Sequence, residues 1–106
     1  MISLFLFLSL FAHEDLNSTT CTLGKEKVVI TKGAKGSYSV QTSDMARGQN
    51  FPKPQTKDWY DEKNKQLFDT YTFKSEDLDV VVKRPETKGP IKKTFAVWKN
   101  KTFQCK

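Results

Sequence analysis

The sequence predicts an all-β domain: a small antiparallel sandwich or barrel, with one short helix at most, stapled by a single disulfide. Three observations carry this reading. Short runs rich in Val, Phe, Tyr and Thr alternate with polar residues at a period of two. Clusters of Gly, Pro, Asn, Asp and Ser punctuate them. Two cysteines, Cys21 and Cys105, stand near opposite ends of the chain that remains once an apolar N-terminal stretch is set aside.

That stretch, residues 1–12, has the length of a signal-peptide hydrophobic region and falls short of the roughly 20 residues a transmembrane helix requires. It predicts a leader over 1–12 and a single secreted β-rich domain over 13–106, with no transmembrane segment. In an oxidising compartment Cys21 and Cys105 have only each other as intramolecular partners. Two cysteines and the one histidine, His13, are too few for a structural zinc site, so no metal and no cofactor are expected. Asn17-Ser18-Thr19 and Asn100-Lys101-Thr102 are N-glycosylation sequons, which suit the same compartment.

Taken in order, residues 25–31 hold Val28-Val29-Ile30, a β-branched strand signal, and 32–36 form a loop with two glycines. Residues 37–42 alternate with Tyr38 and Val40 on one face, completing a hairpin. Residues 43–57 show little periodicity and contain Gly48, Pro52 and Pro54, which predicts a long loop. Asp58, with Asp61 and Glu62 after it, has the pattern of an N-cap opening a short helix. Residues 67–73 alternate, with Tyr71 and Phe73 on one side and Phe68 on the other. After a turn at 75–77, Leu78, Val80 and Val82 share a face and complete a second hairpin. Residues 85–90 are a turn-rich connection. The strand over 92–98 sets Phe95 and Val97 against Ala96 and Trp98, residues 99–101 turn, and 102–105 form the last strand.

The net charge of +6 is unevenly placed. Residues 13–83 carry eleven basic and eleven acidic side chains, whereas 84–106 carry seven basic residues and one acid, Glu86. Sixteen of the basic residues are Lys and two are Arg, a balance that argues against a dedicated reader of nucleic acid. Diffuse attraction to anionic glycans or lipid headgroups is what this charge leaves open.

The first candidate site is the basic C-terminal segment, with Lys92, Lys93, Lys99 and Lys101 around Trp98. If Phe95 and Val97 face the core, Trp98 is exposed among lysines and suits an acidic sugar or protein. If the sheet buries Trp98 instead, the lysines are a solubilising edge. The second candidate is the segment 43–60, offering Arg47, Phe51 and Trp59 for contact, with Arg47 as the bait of a protease inhibitor. A third reading is a lipid carrier with a cavity lined by Phe68, Tyr71, Phe73, Val80 and Val82. No catalytic constellation is expected: one histidine and no free thiol remove the usual nucleophile–base pairs, and Asp58, Asp61 and Glu62 read as an exposed helix start. The leading expectation is a non-enzymatic secreted binding module for an extracellular protein or anionic glycan.

Overall fold

A computed structural model describes residues 15–106; the expected leader at 1–12 and His13 lie outside the described residues. The alternating runs become nine strands: β1 (Thr19–Leu23), β2 (Glu26–Lys32), β3 (Tyr38–Thr42), β4 (Gln49–Phe51), β5 (Gln55–Asp61), β6 (Gln66–Lys74), β7 (Asp79–Pro85), β8 (Phe95–Trp98) and β9 (Lys101–Cys105). They form one sheet ordered β4-β3-β2-β1-β9-β8-β7-β6-β5, antiparallel at every step. The sheet curls so that its two wings meet over one core. Tyr38 of β3 and Phe51 of β4 both pack edge-to-face on Phe73 of β6, with ring centroids 5.5 and 5.6 Å apart.

The core takes one phase of each strand. Val28 and Ile30, Tyr38 and Val40, and Val80 and Val82 are all buried, as their alternation predicts. Leu16, ahead of β1, is fixed by Tyr38, whose hydroxyl accepts the Leu16 N–H at 2.8 Å and donates to the Leu16 carbonyl at 2.9 Å. Cys21 and Cys105 face each other directly across β1 and β9, both buried, and are joined by a disulfide. The β1–β9 ladder has only two paired positions, so the covalent bond reinforces the thinnest seam between the wings.

Two sequence expectations are corrected, and one orientation that the sequence leaves open, that of β8, is resolved. Residues 43–57 are not one loop: β4 pairs with β3, and β5 begins at Gln55. Both are edge strands that bury little, so their pattern carries no clear period. No short helix forms at 58–62. Asp58 to Asp61 continue β5, because Trp59 stacks on Phe68 of β6 at 5.4 Å and that tertiary contact outweighs a local capping signal. β8 has Ala96 and Trp98 turned inward and Phe95 and Val97 outward, with Trp98 only 5% exposed and packed on Phe103 at 5.7 Å.

The turn joining β8 to β9 puts Lys99 and Asn100 at φ 53° and 59°, the left-handed pair a two-residue hairpin loop requires. The connection from β7 to β8 is anchored by buried Gln66. Its Nε2 donates to the carbonyls of Thr87 (3.0 Å) and Ile91 (2.7 Å), and its Oε1 accepts the Ile91 N–H at 3.1 Å. This amide ties the connection down and fixes where Lys92 and Lys93 emerge.

Candidate functional site: a lysine–aromatic patch on the outer face

The second phase of β5 to β8 points away from the core, and register aligns its residues across four strands. Lys57 lies opposite Thr70, Thr70 opposite Lys83, and Lys83 opposite Phe95. In the adjacent row Trp59 lies opposite Phe68. Strand spacing of about 4.8 Å places Lys57 and Lys83 roughly 10 Å apart on this face. Phe68 is fully buried beneath its neighbours, with Phe95 edge-on to it at 5.7 Å, while Trp59 and Phe95 stay partly exposed.

Lys83 is the centre of the patch. Its Nζ sits 3.7 Å from the centroid of the Trp59 ring and 6.0 Å from that of Phe95. Burial among these rings lowers its pKa, and the Asp61 carboxylate offsets this only in part. Among the described residues no carboxylate forms an ion pair with it. The ring faces stabilise the ammonium by cation–π attraction, which an anion arriving from solvent would supplement.

The basic residues singled out in the sequence divide into two groups. Lys99 is bound to Asp44 at 2.9 Å and lies 4.5 Å over Trp98, and Lys101 is bound to Glu26 at 3.0 Å. Lys92 and Lys93 are exposed at the opposite end of β8, just ahead of Phe95. Trp98 is in the core and belongs to neither group as a contact residue. Arg47 is exposed in the turn between β3 and β4, and Trp59 lies on β5 in the outer patch, so the segment 43–60 does not present them from a single loop. Asn17 and Asn100 are both exposed. Phe68 lies on the outer face, opposite to Tyr71, Phe73, Val80 and Val82, so those five residues do not line one cavity. Sequence reasoning missed Lys83 and Phe95 as partners; the signal was there in a lysine at the outward phase of a valine-rich strand.

Two other features lie away from this patch. Asp58, Asp69 and Glu86 bring carboxylate oxygens within 4.8 Å of one another, and Arg84 holds Asp69 at 3.0 Å, supplying counter-charge to the group. A cleft of about 340 Å³ opens between Tyr38, Tyr71, Lys35 and Lys53 where the wings part. No protein-family model matches the chain, and no curated protein or solved structure matches it.

Proposed function

We propose that the chain is an extracellular binding module that takes an acidic glycan on its lysine–aromatic outer face. The carrying observation is Lys83, partly desolvated between Trp59 and Phe95 and lacking an ion-pair partner among the described residues. A cation in that position gains from a sulfate or carboxylate, and the partly exposed Trp59 and Phe95 rings offer aromatic surface to the apolar faces of a sugar. Lys57 on the same row, with Lys92 and Lys93 from the anchored connection, would extend contact along a polyanion. The Cys21–Cys105 disulfide supports an oxidising compartment, and no described helix is long and apolar enough to cross a membrane.

The test is isothermal titration with a sulfated oligosaccharide. Lys83→Met, alone and combined with Lys92→Glu and Lys93→Glu, is expected to weaken binding at least about tenfold, with affinity falling as salt rises. Lys101→Glu is expected to change binding little, because that lysine is held by Glu26. Wild-type affinity in the triple variant would refute the site. Binding of acidic polypeptides but not sulfated sugars would refute the glycan assignment.

A further inference from the structure

We infer that Asn100 carries an N-linked oligosaccharide whose first sugars fold back into the groove beside it, covering Val81 and Val97 on the outer face. This rests on the extracellular reading, but not on recognition of a ligand at Lys83.

The groove is built by register. The turn between β6 and β7 and the turn between β8 and β9 stand at the same end of the sheet, because Val80 lies opposite Trp98 in the ladder joining the two hairpins. Below these turns the outer phase sets Val81 directly opposite Val97, with Thr72 beside Val81 and Thr102 beside Val97. Both valines are only partly buried. The groove they floor has a volume of about 500 Å³, and Asn100 stands on its rim. That falls within the roughly 300–1,000 Å³ of clefts that hold small ligands, and leaves room for one or two sugar rings.

Three observations choose the occupant. The first is the attachment point. Asn100-Lys101-Thr102 is a sequon, and Asn100 is exposed at φ 59°, a conformation that asparagine tolerates. Thr102, which completes the sequon, lies opposite Val97 and shares the outer face with the groove floor. A sugar tethered there meets the groove at high effective concentration, so weak contacts suffice to seat it. The second is charge. Glu76, Asp77 and Asp79 line the groove and form no ion pair among the described residues. Against them stand Lys74 and Lys99, the latter already bound to Asp44, so the rim is net negative. Its carboxylates accept hydrogen bonds from sugar hydroxyls and amides, and they repel a polyanion. A neutral N-acetylhexosamine fits this groove. The third is the contrast with Asn17, which borders a cleft of only about 130 Å³. The hydroxyls of its sequon are also engaged: Ser18 accepts the Lys32 N–H and Thr19 donates to the Lys106 carbonyl, each at 2.8 Å.

The test expresses the full chain in eukaryotic cells. Glycopeptide mass spectrometry is expected to find Asn100 modified, and nuclear magnetic resonance to show cross-relaxation between the Val81 and Val97 methyl groups and the first N-acetylhexosamine. Asn100→Gly removes the attachment and suits a positive φ at least as well as asparagine, so a loss of stability belongs to the sugar. Its melting temperature should fall at least about 3 °C below that of the glycoprotein. Enzymatic release of the oligosaccharide from the wild-type chain, which leaves a carboxylate on that side chain, should lower it likewise and decides the matter if the glycine variant does not fold. A secreted chain with Asn100 bare overturns the inference alone. A chain retained in the cytosol with both sequons bare overturns the extracellular reading and the inference with it. A modified Asn100 whose sugars contact neither valine, or whose removal leaves the melting temperature unchanged, overturns the seating in the groove.

Discussion

Removing the disulfide is expected to reveal where the fold is weakest. Replacing Cys21 and Cys105 together by alanine frees a loop with a sequence separation of 84. In the chain-entropy treatment a closure of that length restricts the unfolded chain by about 4.5 kcal/mol. Both sulfur atoms are buried, and their loss should add about 1–2 kcal/mol as a packing defect. The sum, about 6 kcal/mol, rivals the whole stability of about 5–15 kcal/mol usual for a domain of this size. The damage should also be local, because β1 and β9 share only two paired positions whereas β6 and β7 share seven. Urea unfolding monitored by tryptophan fluorescence gives the free-energy change, and hydrogen exchange gives its location. The expected result is a loss of about 4–6 kcal/mol, or a chain unfolded without denaturant, with amides of β1 and β9 losing protection before those of β6 and β7. A loss under about 1 kcal/mol, or protection falling equally in every strand, would refute the view that the bond staples a weak seam.

Two further outcomes are expected from buried polar groups. Gln66→Leu deprives two carbonyls and one N–H of the 86–94 connection of their partner, which should cost about 2–3 kcal/mol and open Lys92 and Lys93 to rapid trypsin cleavage. Gly89→Ala should act in the same direction, since a methyl group there would fall 2.6 Å from the Gln66 amide; trypsin resistance equal to wild type in both variants would contradict the anchoring role. The Tyr38 hydroxyl has a pKa raised above its ordinary value, chiefly by burial, against a lowering from its Leu16 hydrogen bond. Its contribution to stability is therefore intact below the unfolded value near 10 and is lost as pH rises through the folded value. Tyr38→Phe should cost about 1–3 kcal/mol at neutral pH and flatten the alkaline decline, read from urea midpoints between about pH 8 and 11. An unchanged alkaline decline would show that other groups cause it.

The parts of the fold visible in the sequence are those with one dry face and one wet face. Tyr38 and Val40, and Leu78, Val80 and Val82, declare their inward phase because their alternate neighbours are more polar or less buried. The cysteine pairing was legible for a different reason, since two thiols leave no choice of partner. β1 was missed because Thr-Thr-Cys-Thr carries β-branched character but almost no apolar contrast. β4 and β5 were missed because edge strands bury few side chains, so Pro52 and Pro54 dominated the local signal. The orientation of β8 could not be fixed because Phe95-Ala96-Val97-Trp98 is apolar in both phases. That ambiguity has a physical cause: Phe95 packs on Phe68, so the sheet is partly covered on its outer side as well.

The same second layer explains why the candidate site was hidden and why Lys83 is informative. Around it Trp59, Phe68 and Phe95 form a small apolar cluster on the outer face, where a methionine would fill the space without a charge to desolvate. Burial already lowers the pKa of the Lys83 ammonium, so the charge is held at some cost to the folded state. Lys83→Met should accordingly leave the melting temperature unchanged or raise it by about a few degrees, although glycan binding falls. Stability and binding moving in opposite directions on one substitution is what a binding residue gives, whereas a lysine that merely packs gives a melting temperature that falls with no change in affinity.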